Sequence, residues 1–139
     1  MIEETSAGIV IFRKEESKKL FLLLHYPSGH WDFVKGKMEK GEKTHETAIR
    51  ETKEETGITD ITFVENFEEW INYNFKYQGE LVQKKVVFFL AETKTKEIEI
   101  SHEHSGYTWM DYNSAMEKTT FDNAKTVLTK AQKLLSNTL

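Results

Sequence analysis

The sequence predicts an α/β fold, an α/β/α sandwich in which helices cover both faces of a mixed central sheet. Three observations carry this. Val86 to Ala91 form an unbroken apolar run, the pattern of a strand buried on both faces. Segments with strand character stand before, between and after segments with helical character. Residues 123–136 place Val127, Leu128, Ala131, Leu134 and Leu135 at helical spacing, an amphipathic stripe suited to covering a sheet.

Taken in order, residues 8–13 and 20–26 read as strands, joined by a polar hairpin loop over 14–19. Pro27 opens a Pro-Ser-Gly turn, and residues 31–34 are a short extended piece. Residues 44–56 read as a helix. Ala48, Ile49 and Thr52 lie on its sheet-facing side, and Gly57 stands at the left-handed C-cap position. Residues 61–67 and 70–75 read as strands, 77–80 as a turn and 84–93 as the doubly buried strand. Residues 107–110 form a short strand, 114–118 a helical turn and 123–136 the last helix.

The 139 residues suit one domain, 1–139, and no linker divides them. With 38% hydrophobic and 30% charged residues the chain can build one core and remain soluble. A net charge of −4 argues against general binding to nucleic acid or to a membrane surface. The absence of cysteine excludes disulfides, thiolate metal sites and cysteine nucleophiles. The N-terminus is acidic where a secretory signal is basic, and no apolar run is long enough to span a bilayer. A cytoplasmic protein is expected.

The chemistry concentrates between Gly36 and Ile58. At about 100° per residue, Glu51, Glu54 and Glu55 share one helix face roughly 100° wide. Like charges so placed repel, and a divalent cation relieves them; oxygen ligands of this kind suit Mg²⁺ or Mn²⁺ rather than zinc. Taken alone, the cluster also fits a solvated face salt-bridged through Arg50 and Lys53. The offsets of Gly36, Glu42, Arg50, Glu51, Glu54, Glu55 and Gly57 narrow the choice. At roughly 6% usage per residue type, these seven requirements coincide by chance at a given start on the order of 10⁻⁹.

That spacing resembles the signature box of the Nudix hydrolases, with Thr52 where the pattern prefers an aliphatic residue. The resemblance implies a loop–helix–loop site on the Nudix fold and cleavage of a phosphoanhydride by water. It implies Glu54 and Glu55 as metal ligands and Glu51 as a third ligand or base. Arg50 would hold Glu51, Glu42 would fix the loop, and the backbone at Gly36 would approach the metal. Mg²⁺ is the implied cofactor, with Mn²⁺ as a substitute.

Outside the box, His30-Trp31 with Lys35-Gly36, Asn72-Tyr73, and His102-Glu103-His104 with Tyr107 and Trp109 are similar to the animal and archaeal asymmetric diadenosine tetraphosphate hydrolases. This resemblance implies a dinucleoside polyphosphate substrate, with diadenosine tetraphosphate giving ATP and AMP. It implies Glu103 as a further catalytic carboxylate, base or ligand. It implies His30, Lys35 and Lys84 as phosphate contacts, and Tyr73 and Phe121 as aromatic faces for adenine. Each also has a plainer reading: His30 and Lys35 as surface residues, Glu103 as a loop carboxylate, Lys84 or Lys85 as a strand cap, Tyr73 and Phe121 as core. Asp32, Phe33 and Val34 replace a Thr-Pro-Pro common in such relatives, and Lys40 replaces a proline, which bears on base preference and polyphosphate length. The expected partner is the small-molecule substrate, with no membrane and no stable nucleic acid, on a monomer or weak homodimer. A nucleoside triphosphate or RNA 5′-end pyrophosphohydrolase, or a non-catalytic nucleotide sensor, are the rival readings.

Overall fold

A computed structural model describes residues 1–137. Its elements are β1 (Ile2–Glu15), β2 (Lys18–His25), β3 (Trp31–Asp32), β4 (Val34–Lys37), α1 (Thr44–Thr56), β5 (Thr62–Phe63), β6 (Glu69–Tyr77), β7 (Glu80–Glu92), β8 (Gly106–Met110), α2 (Tyr112–Lys118) and α3 (Asp122–Ser136). The strands form one mixed sheet. Its central pair, β1 and β7, is parallel from Ile2 opposite Val82 to Phe12 opposite Glu92, and the remaining pairings are antiparallel.

The apolar run of β7 is buried on both faces, as its pattern requires. Val86, Phe88 and Leu90 pack with Val10 and Phe12 of β1 beneath Ala124, Val127, Leu128 and Ala131 of α3. Val87, Phe89 and Ala91 pack with Ala7, Ile9 and Ile11 beneath Ala48 of α1 and Ile58. Each large side chain so buried is worth about 1.5–3 kcal/mol, and the two layers fix the strand register that places the polar residues.

The helix over 44–56 has the predicted bounds. Glu46 accepts a hydrogen bond from the Lys43 amide at its start, and Gly57, at φ +79°, donates to the Lys53 carbonyl at its end. Its buried face is rotated from the expected one. Thr47, Ala48, Thr52, Glu55 and Thr56 are covered, whereas Ile49 is exposed. The side chain buried beyond Thr52 is therefore a carboxylate.

Other bounds shift for identifiable reasons. β1 begins at Ile2 because its polar first residues pair with β7. The loop over 14–19 shrinks to Glu16 and Ser17, with Glu16 at φ +57°. The turn over 77–80 is reduced to Gln78 and Gly79, both at positive φ, the geometry of a tight two-residue hairpin. Of the strand expected over 61–67, Thr62–Phe63 pairs with β7 and the Val64 amide donates to the Leu90 carbonyl, before the chain turns at Glu65 and Asn66. The piece over 31–34 splits at Phe33, which turns into the core while Val34 joins β1.

Candidate active site

The site is built where β4 passes the middle of α1. Gly8 of β1 and Gly36 of β4 allow this approach: a Cβ at Gly8 would strike the Val34 carbonyl, and one at Gly36 would strike the Glu51 carboxylate. Glu51 therefore lies against bare backbone, held on its other side by Arg50 Nη1 at 2.7 Å.

Arg50 organises the loop before the helix. Its Nε and Nη2 donate to the two oxygens of Glu42 at 2.6 and 3.0 Å, its Nη2 donates to the Lys37 carbonyl, and its Nη1 also reaches Glu54. Glu42 further accepts from the Glu39 amide and the Thr47 hydroxyl. These bonds, that with Arg50 first, hold the Glu42 carboxyl down to about 2. Glu42 thus ties residues 37–47 together and does not face the cleft as a ligand.

Glu55 has the opposite environment. It is 4% exposed, and His104 Nε2 lies 3.0 Å from its Oε1 without the alignment of a hydrogen bond. Among the described residues Glu55 Oε2 has no hydrogen-bond partner. Burial first, then the neighbouring Glu51 carboxylate, then the charges of Glu103 and Glu54, push its carboxyl up to about 10. A carboxylate so placed needs a proton or a cation. That need, an all-oxygen donor set and the backbone cradle at Gly36 fit a hard divalent ion. In the side-chain positions observed, no three acidic or histidine groups among the described residues converge to hold an ion. Glu54 leans toward Arg50, whose Nη1 lies 3.2 Å from its Oε2, and its side chain is 55% exposed.

The segment before β8 closes the cleft. The Glu99 and Ser101 amides donate to the carbonyls of Thr56 and Glu55, which brings Glu103 and His104 over the helix end. Glu103 is exposed and lines a cleft of about 420 Å³ together with Lys35, Gly36, Arg50, Glu51 and Glu55. Burial lowers the proton affinity of His104, and its Nδ1 is 3.2 Å from the Ser101 hydroxyl.

A second cleft of about 380 Å³ adjoins the first and shares Lys35 with it. Tyr73 and Phe121 stand on its walls, 36% and 45% exposed, so neither is a core residue. His30 lines it as well, stacked on Tyr26 at 4.5 Å and 5.1 Å from the Phe121 ring. Burial lowers the proton affinity of His30. Lys35 Nζ is 3.1 Å from the buried Asp32 carboxylate. Lys84 stands directly opposite Tyr73, its side chain turned inward, whereas Lys85 is exposed on the other face. Lys84, and not Lys85, therefore shares a sheet face with Tyr73.

Of the sequence-predicted site residues, Lys35, Gly36, Arg50, Glu51, Glu55 and Glu103 line the first cleft and His30, Lys35, Tyr73 and Phe121 the second, whereas Glu54 and Lys84 line neither. Sequence reading gave no contact role to Tyr26, Lys37 or Asp32. Tyr26 lines the first cleft and donates to the Phe33 carbonyl, and Lys37 lines the same cleft. Asp32 lines the second. For Lys37 and Asp32 the signal was adjacency to Lys35 and Gly36; for Tyr26 there was none.

Comparison with known proteins agrees with this arrangement. The sequence model of the NUDIX domain matches residues 3–131. The chain is 35% identical over 145 residues to the mouse bis(5′-nucleosyl)-tetraphosphatase (asymmetrical), covering 96% of each chain. It is 35% identical over 136 residues to the Caenorhabditis elegans protein of the same name, covering 94% of this chain and 96% of that one. The crystal structure of a C. elegans Ap4A hydrolase binary complex superposes with a TM-score of 0.81 at 32% identity, covering 96% of this chain and 98% of that one. The E. coli dihydroneopterin triphosphate pyrophosphohydrolase shares the fold, with a TM-score of 0.75 at 19% identity and coverage of 94% and 97%. The matched domain, the near full-length relatives and the carboxylate helix set against Gly36 agree, and the chain belongs to the Nudix family.

Proposed function

We propose that this Nudix protein hydrolyses dinucleoside polyphosphates asymmetrically, converting diadenosine tetraphosphate and water to ATP and AMP. The observation that supports it most is the junction at Lys35, where a cleft walled by carboxylates opens into a cleft walled by two exposed aromatic rings. The first suits a phosphate chain at a divalent ion. The second suits a base, whose π-face stacks on aromatic side chains.

Glu54 and Glu55 would hold a divalent ion, Mg²⁺ with Mn²⁺ as substitute, and Glu51, Glu103 and the Gly36 backbone would supply further oxygen donors. When bound, the ion neutralises phosphate charge and makes the attacking water more acidic. The chain's own groups do the rest. Arg50 fixes Glu51 in one orientation through a charge-assisted bond. Glu103 or Glu51 takes the proton from the water as its oxygen forms the new bond to phosphorus and the bridging P–O bond breaks. Lys35, His30 and Lys84 contact phosphate oxygens, and Tyr73 and Phe121 hold the base. Positioning and electrostatics carry most of the rate enhancement.

The test is a substrate panel in Mg²⁺ comparing diadenosine tetraphosphate, deoxynucleoside triphosphates and 5′-triphosphate RNA. Preferential turnover of the dinucleotide supports the reading; turnover of triphosphates or RNA with the dinucleotide left intact overturns it.

A further inference from the structure

We propose that Glu4 is a built-in counter-anion of the phosphate floor: it pairs with Lys37 and Lys84 in the free protein and is displaced from them by a substrate phosphate group. This rests on the reading above, that Lys35 and Lys84 contact the phosphate chain; Lys37 lines the same cleft as Lys35. Glu4 Oε1 accepts from Lys37 Nζ at 2.9 Å, and Glu4 Oε2 accepts from Lys84 Nζ at 3.4 Å. The three residues come from β1, β4 and β7, and the parallel pairing of β1 and β7 sets Glu4 directly opposite Lys84.

The cluster is partly withdrawn from water. Side-chain exposure is 11% for Lys84 and 22% for Glu4, against 66% for Lys37. Lys84 is disfavoured as a cation by burial and by the charges of Lys37 and Lys35, and favoured by Glu4. Lys84 therefore needs an anion. Lys35, which lines both clefts, has its own in Asp32. Lys37 and Lys84 share one carboxylate between them.

A phosphate chain arriving over Lys35 and Lys37 offers the same charge from the cleft side. Glu4 then opposes binding twice: it stabilises the unliganded lysines, and it repels the incoming oxygens. Its removal strengthens anion binding while destabilising the free protein. A residue that merely orients the lysines gives the reverse, weaker binding on removal. In the native protein the competition limits how tightly a polyphosphate product is retained.

Binding of inorganic tripolyphosphate to the full-length protein in EDTA, measured by calorimetry, tests this without turnover. Glu4→Gln is expected to bind about tenfold more tightly than wild type, the scale of one partly screened charge contact. Glu3→Gln makes the same change in net charge at the neighbouring exposed position, which points to the opposite sheet face, and is expected to bind within about twofold of wild type. In a Lys84→Ala background the gain from Glu4→Gln should shrink. A second readout needs no variant: the NMR-titrated pKa of Glu4, held below its ordinary value by the hydrogen bond from Lys37, should rise when tripolyphosphate binds. Equal or weaker binding by Glu4→Gln, or an unmoved Glu4 titration, overturns the proposal. If that occurs while wild type still binds tripolyphosphate and cleaves the dinucleotide, the counter-anion alone is lost. If wild type binds no tripolyphosphate, the phosphate-floor reading is lost with it.

Discussion

Gly36 and Glu51 are fitted to each other: the carboxylate of one occupies the space that a side chain on the other would need. Gly36→Ala therefore has to push Glu51 away from β4 or β4 away from α1. Loss of kcat by about 10² or more is expected, the scale of displacing one preorganised catalytic group. Melting temperature should fall as well. A variant with wild-type kcat would show that Glu51 is not held where the reaction needs it.

Glu55 sets stability against activity. Folding raises its pKa far above the ordinary carboxylate value, so between those values the native state holds a proton that the unfolded state has released. Stability of the metal-free protein from this group is full below the unfolded pKa of about 4.3 and is lost as pH rises toward the folded value. Melting of the EDTA-treated protein should drop between pH 6 and pH 8.5, and Mg²⁺ should offset the drop. Glu55→Gln should flatten this dependence and raise the melting temperature at pH 8.5. A wild-type slope retained in the variant would mean that another group titrates.

The same substitution should remove activity. Glu55→Gln and Glu54→Gln are each expected to reduce kcat in Mg²⁺ by roughly 10²–10³-fold, by analogy with the loss of one key electrostatic group. Near-normal turnover by both variants would rule these carboxylates out as ligands. A more stable but inactive Glu55→Gln would separate the site from the scaffold, since a structural residue loses both properties together.

Arg50 is not replaceable by lysine. Its fork meets both oxygens of Glu42 while a further nitrogen meets Glu51. A lysine is a single point donor and cannot make both contacts. Arg50→Lys should lower kcat by about tenfold or more and increase proteolytic cleavage within residues 37–43, the loop that Glu42 and Arg50 tie down. Unchanged kcat and proteolysis would show that charge alone suffices.

The base cleft should affect binding rather than chemistry. Tyr73→Ala and Phe121→Ala are expected to raise KM for diadenosine tetraphosphate by about tenfold, within the 1–3 kcal/mol that one stacked base contributes, with kcat within about twofold. Both rings lie outside the core, so thermal stability should change little. A fall in kcat at constant KM would place them elsewhere in the mechanism.

How far the sequence foretold these features depends on the range of the interactions behind them. The helix bearing Glu51, Glu54 and Glu55 was legible to the residue, because the Lys43–Glu46 contact and the Gly57 cap are local. Its buried face was misjudged at Ile49 because the helix is turned by the fit of Glu51 onto Gly36, which lies on another strand. The choice between Lys84 and Lys85 required the register of β7 against β1 and β6. Glu4 gave no sequence signal because its partner Lys84 lies 80 positions away. The strand over 61–67 was overestimated because the chain turns at Glu65 and Asn66, and Phe67 enters the core from beyond that turn rather than from a ladder.

The central claim is that the carboxylate cleft cuts the phosphate chain of a dinucleotide off its centre. Chromatographic quantification of the nucleotides released from diadenosine tetraphosphate in Mg²⁺, with an EDTA control, tests it most directly. ATP and AMP are expected in equal amounts, with no release in EDTA. Two molecules of ADP per substrate, or cleavage that persists in EDTA, would contradict it.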